Sequence, residues 1–216
     1  LLHATAIVWV MLFHAFLVGG LGESYSWRTR YGWMGVDLFF VLSGFLIGGQ
    51  LLRPLARGET PSLRAFYVKR AFRILPAFWV VLAVYLVWPG FREAPGMEPW
   101  WKFALFFVNL DIDYATNAAF SHAWSLCVEE HFYLMFPLLA WALMRRPSVV
   151  KFGAVCVLVV LAGIALRSGV WLHNNALDQA GTQSRPSWFV EDIYYPTWNR
   201  LDGLLFGVVL AVLRTF

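Results

Sequence analysis

Apolar residues recur along this chain in long runs broken by short charged stretches, rather than in the brief amphipathic faces of a water-soluble fold. Runs at about 1–20, 34–52, 74–90, 123–143, 149–170 and 196–214 each approach the roughly 20 mostly apolar residues that a helix needs to cross a hydrocarbon core. The run at 101–110, opening Trp101-Lys102-Phe103, is too short to cross and is expected to lie at the interface or re-enter it. The pattern therefore predicts an all-α, polytopic transmembrane bundle with about six spans. Thr60-Pro61-Ser62 offers an N-cap with proline at the first helical position. A helix is expected to start there and to pass through Pro76, with a kink, into the third run.

Composition agrees with that pattern. The 216 residues are 60% hydrophobic and 14% charged, against roughly 45–50% and 25% in an average soluble domain. One membrane domain over 1–216 accounts for the whole sequence. The chain opens on Leu1 within an apolar run and stops at Phe216 at the end of another, so it is expected to be cut at both ends. The first run carries His14 in its apolar stretch and is expected to be a span rather than a cleavable leader, which would need a short core and a small-residue cleavage site. Cys127 and Cys156 both lie in apolar runs and are expected to pack there, without a disulfide framework.

The net charge of +4 does not point to nucleic acid, because the basic residues sit between apolar runs rather than over a polar surface. The connection from Arg53 to Arg73 holds Arg53, Arg57, Arg64, Lys69, Arg70 and Arg73 against Glu59 alone, and Arg145, Arg146 and Lys151 mark another. By the positive-inside rule both face the cytoplasm, and 53–73 is the clearest case. Parity then puts 21–33, 91–122 and 171–195 outside, where Glu23, Glu93, Glu98, Asp111, Asp113, Asp178, Glu191 and Asp192 lie.

Charges inside a span cost about 2.5–3.5 kcal/mol on insertion scales, so each one asks for a partner or a role. This chain places His14 in the first run, Asp37 near the start of the second, Glu129, Glu130 and His131 in the fourth, and Arg200 with Asp202 in the sixth. His3 falls on nearly the same helix face as His14, since eleven residues make about three turns. Arg73 shares a face with both Lys69 and Arg70, so three cations meet at a membrane mouth and can hold either lipid headgroups or the phosphates of a nucleotide-bearing donor. Ser125 and Glu129 share a face and can hydrogen-bond, while Glu130 points about 100° away. Ser43, in Leu42-Ser43-Gly44, lacks a nucleophile elbow and reads as a packing serine.

Several blocks carry a resemblance. GWMGVDLFFVLSGFLIGGQLL at 32–52 closely resembles the signature of membrane acyltransferase family 3, whose members acetylate O-antigen and other surface glycans. FYVKRAFRILPAFW at 66–79 resembles that family's segment with an R-x-x-R pair, here Arg70 and Arg73. HAWSLCVEEHFYLMFPLL at 122–139 is similar to its W-S-L-S-V-E-E-Q-F-Y-L block, with Cys127 and His131 in place of Ser and Gln, and NRLDGLLFG at 199–207 resembles another. The order is the family's, over essentially the whole chain.

The resemblance implies an acyl-CoA-dependent transferase, with acetyl-CoA as the expected donor and no metal. It also implies about ten spans in a complete domain, roughly six of them here, in the bacterial inner membrane. The family's first-span histidine maps onto His14 as catalytic base, and its R-x-x-R onto Arg70 and Arg73 as donor contacts, with Lys69 beside them. His3 stands where the family carries Arg. Asp37 or Glu129 is expected to orient His14. His3, Ser125, Glu130, Arg200 and Asp202 are expected to support the site. The acceptor is a hydroxyl of a carbohydrate or other cell-surface molecule. A transporter or flippase for a lipid-linked glycan, or an inactive membrane module, would also account for buried charges.

Overall fold

The computed structural model describes residues 2–17, 31–144 and 148–215, and the described residues are helical without a β-strand. The helices are α1 (Leu2–Leu17), α2 (Met34–Ala56), α3 (Leu63–Val87), a short α4 (Trp100–Ala104), α5 (Trp124–Met144), α6 (Val149–Gln179) and α7 (Leu201–Thr215). Three of them, over Met34–Pro54, Leu63–Val87 and Val150–Gln179, are long and apolar enough to cross a membrane.

The other expected spans differ in instructive ways. α7 begins at Leu201, five residues into the run expected from 196, and is described to Thr215. α1 is described over 16 residues. α5 has 21 residues but carries Glu129 and Glu130 in its first half. Conversely, α6 continues to Gln179 rather than stopping near 170. Its polar last turns stay helical because helix propagation is local and indifferent to where lipid ends.

The helix expected to start at Thr60-Pro61-Ser62 is present and carries on into the third run. α3 starts at Leu63, capped by Ser62, whose hydroxyl accepts from the Ala65 amide at 3.2 Å. The cap is thus two residues past Thr60, and Pro61 precedes it. The helix runs through Pro76 to Val87 without interruption.

The chain divides into two compact units, Leu1–Thr60 with Gly203–Phe216, and Pro61–Asp202. In the first, α1 crosses α2 at Gly35, where an added Cβ would meet Val10 Cγ2 at 2.9 Å and the Ala6 carbonyl at 3.0 Å. α2 and α7 come closer still. A Cβ on Gly44 would sit 1.9 Å from the Leu204 carbonyl, one on Gly207 would sit 2.0 Å from the Val41 carbonyl, and one on Gly48 would press on Ala211. Small residues four apart on both helices thus let the backbones touch, the device that stands in for a hydrophobic driving force between helices in lipid. Phe40, Ile47, Leu204 and Val208 fill the flanks and are at most 1% exposed.

In the second unit α3 and α5 run antiparallel. The Tyr67 hydroxyl donates to the Leu134 carbonyl near one end, and Tyr85 stacks on Phe120 just before α5 at the other. Phe120 is the hub of that end, with Phe78, Tyr85 and Phe103 stacked on it at 4.4–5.8 Å and His122 edge-on. It holds this place at φ 58°, a left-handed conformation that costs a non-glycine residue of order 1–3 kcal/mol, offset by the packing of four rings. Residues 101–110 form α4 and a turn, with Phe103 and Val108 fully buried against protein while Trp101, Leu105 and Phe107 stay exposed. Residues Phe189–Tyr194 form a π-helix, with the Tyr195 amide bonded five residues back to Val190.

Candidate functional site

His14 lies in the last turn of α1, where its Nδ1 is 2.9 Å from the Val10 carbonyl. A carbonyl only accepts, so in the neutral ring Nδ1 carries the proton and Nε2 keeps the lone pair. The imidazole is exposed in this chain, and Phe13 meets it edge-on. His3 also falls in α1, with its side chain outside the described residues. Asp37 occupies the first turn of α2 in the same unit, half-buried, two residues past the Gly35 crossing.

The other named residues belong to the second unit. Arg70 leaves α3 toward α5 and lies over the Tyr133 ring at 4.8 Å, with Phe66 at 5.9 Å. Glu129, Glu130 and Arg73 are all within its electrostatic reach. Glu129 is buried, and Glu130 has one buried carboxylate oxygen without a hydrogen bond but faces the Arg70 charge. Lys69 and Arg73 are exposed, so the shared helix face holds one inward cation flanked by two outward ones. The Ser125 hydroxyl turns back to the His122 carbonyl at 3.4 Å.

Arg200 stacks on Tyr194 at 3.9 Å and on Trp124 at 5.5 Å, and its Nε donates to the Tyr194 carbonyl. Asp202 pairs at 2.8 Å with Arg167, a cation from the middle of α6. Arg167 was not anticipated, although an arginine inside a run of Leu, Ala and Ile is itself a warning, because a lone guanidinium in hydrocarbon needs a counter-ion. Arg167→Leu is expected to lower stability in detergent by about 1–2 kcal/mol. This is less than the 3–5 kcal/mol of a fully buried pair, because both partners keep some exposure. Arg167→Leu with Asp202→Leu should recover most of the loss, and melting of all four members of the cycle checks it. A double variant as unstable as the single would refute compensation by charge pairing.

His131 also gains a partner that sequence does not reveal, the Thr197 hydroxyl at 2.6 Å from its Nδ1. Asn109, fully buried, donates to the same hydroxyl at 2.8 Å and to the Tyr195 carbonyl. This knot ties α5 to the segments before it and before α7.

At one end of the unit, residues 98–116 meet residues 184–192 around a cavity of about 570 Å³. Lys102 bridges Glu98 at 2.9 Å and Asp111 at 2.8 Å on one wall, and Arg185 bridges Glu191 and Asp192 on the other. Burial alone would lower the Lys102 pKa, but hydrogen bonds to Asp111 and Glu98 outweigh it and hold the ammonium above its ordinary value. Among the described residues no group of three His, Cys, Asp or Glu side chains is placed to hold a metal ion.

The motif blocks find their counterpart in known proteins. Residues 1–212 match the family model of an acyltransferase domain. The chain belongs to acyltransferase family 3. Among curated members of this acyltransferase family, the peptidoglycan O-acetyltransferase OatA of Listeria monocytogenes is 29% identical over 234 residues, all of this chain and 33% of the relative. The O-acetyltransferase OatA of Staphylococcus aureus strain NCTC 8325 is 28% identical over 227 residues, covering 97% of this chain and 33% of the relative. The chain thus spans about a third of the length of these acyltransferases. No solved structure matches it.

Proposed function

We propose that this chain carries acyl transfer in which the acyl group, acetyl in our reading, comes from acyl-CoA and goes to a hydroxyl of a cell-surface glycan. The observation that carries the reading is the His14 hydrogen bond to the Val10 carbonyl in a chain of this family. It leaves Nε2 as the basic nitrogen. In our reading Nε2 takes the proton of the acceptor hydroxyl as its oxygen attacks the thioester carbonyl. The C–S bond then breaks, and the thiolate leaves with that proton. Asp37, in the same unit, or Glu129 orients the ring, and Lys69, Arg70 and Arg73 receive the donor phosphates, for which guanidinium groups supply bidentate donors.

The basic connection 53–73 faces the cytoplasm in this reading, where CoA esters are found, and the chain resides in the bacterial plasma membrane. The name of the Listeria monocytogenes relative, a peptidoglycan O-acetyltransferase, supports a glycan acceptor, and both relatives' names support acetyl as the group transferred. The test is label transfer from acetyl-CoA to glycan by the full-length polypeptide in membranes. A protein that moves glycan across the bilayer but transfers no label would overturn the reading in favour of a transporter.

Arg70→Gln with Arg73→Gln should raise the KM for acyl-CoA about tenfold, the cost of a lost charge-assisted hydrogen bond, and more than it raises the acceptor KM. Steady-state kinetics with each substrate varied in turn checks it. An unchanged donor KM in a properly inserted variant would return both residues to lipid anchoring.

A further inference from the structure

The cavity between residues 98–116 and 184–192 has walls of unusual chemistry. Its lining carries the carboxylates of Glu98, Asp111, Asp113, Glu191 and Asp192 and the cations Lys102 and Arg185, so five minus two leaves three negative charges in excess. Both cations are engaged. Lys102 has three donors, and they are met by Glu98 Oε2, Asp111 Oδ2 and the Asp111 carbonyl. Arg185 gives Nε and Nη2 to Glu191 and Asp192. What remains for a ligand is acceptor capacity at Asp111 Oδ1 and Asp192 Oδ2 on opposite walls, beside the Nη1 edge of Arg185, whose charge is already met by two carboxylates.

These walls are also held in place. Buried Glu98 accepts the Asp113 amide at 2.9 Å and the Asn117 side chain at 3.2 Å. The Tyr114 amide donates to Glu191 at 2.9 Å and so ties one wall to the other. A volume of about 570 Å³ falls within the roughly 300–1,000 Å³ of small-ligand sites. A fixed, acceptor-rich and net acidic cavity repels phosphate and carboxylate, and it rewards a ligand that brings many donors without negative charge. Sugars with free hydroxyl or amino groups have that chemistry.

We propose that this cavity is the acceptor subsite and that it takes a neutral or amino-bearing glycan while excluding phosphate-bearing ones. This rests on the acyl-transfer reading above. The two loops lie at the end that the charge pattern puts outside, where a surface glycan would arrive.

The test uses the full-length polypeptide in membranes, labelled acetyl-CoA, and two acceptors: an oligomer of N-acetylglucosamine and a polymer of glycerol phosphate. Label should pass to the neutral oligomer and not to the polymer. Asp111→Asn should raise the KM for the oligomer about tenfold more than the KM for the donor. The Asp111 side chain is 87% exposed, so the change leaves packing undisturbed. Asp192→Asn, on the facing wall, should act in the same direction. Transfer to glycerol phosphate as readily as to the oligomer, or equal shifts in both KM values, would overturn the subsite and leave acyl transfer standing. Failure of the unmodified protein to transfer label to either acceptor would overturn both.

Discussion

His14→Ala is expected to lower turnover by about 10²–10⁴, the usual contribution of a general base, while melting in detergent is expected to stay within about 1 kcal/mol of the parent. The two sizes separate chemistry from packing. His14 bonds one turn back along its own helix, to Val10, and its ring is exposed, so its loss opens no buried cavity. Turnover at saturating acyl-CoA, alongside a melting curve, is the measurement. Near-normal turnover would sink the catalytic assignment and leave family membership as a statement about fold. His3→Arg is the companion, because His3 stands eleven residues away where the family carries arginine. Higher activity would mark His3 as a weak substitute, and lower activity would mark it as a participant in proton handling.

Gly44→Ala and Gly207→Ala are each expected to destabilise the protein by about 1–3 kcal/mol or more, the range for overpacking. In both cases the new Cβ would run into backbone, at 1.9 Å from the Leu204 carbonyl and 2.0 Å from the Val41 carbonyl, so no rotamer change relieves it. α2 and α7 would have to separate, loosening Phe40, Ile47, Leu204 and Val208 together. Gly169→Ala is the control. Nothing lies within 4 Å of its added Cβ, and helix propensity alone predicts a gain of up to about 1 kcal/mol. Detergent melting of the three variants decides it, and a Gly44→Ala protein as stable as the parent would mean that α2 and α7 are not in backbone contact.

What sequence reveals here divides by the range of the interaction. Long apolar runs, the start of α3 to within two residues, and the family are legible because each depends on contiguous residues. The small residues of α2 and α7 are also visible as glycines four apart, but they acquire meaning only once helices 160 residues apart in the chain are known to touch. Arg167 is concealed for the same reason, since its partner Asp202 lies in another apolar run. The cavity walls were readable only as acidic loops. Which carboxylates meet Lys102 and which meet Arg185 follows from loop folding, not from local pattern. The apolar run ends near 170, but the helix carries Asn174, Asn175 and Asp178 onward to Gln179, and the Asn174 side chain accepts from Gln183.

The π-turn at Phe189–Tyr194 lets two neighbouring carboxylates, Glu191 and Asp192, reach one guanidinium, an arrangement that an ordinary helical turn would tend to splay. A turn of this kind holds one residue more than an α-turn would. The cavity wall therefore lies within one codon of a different geometry. Loss of a single residue between 189 and 194 would re-aim everything that follows, including Tyr194 and Tyr195 beneath Arg200 and Trp124. In evolutionary terms, and on the acceptor-subsite proposal, substrate preference is adjustable by an insertion or deletion at one short segment.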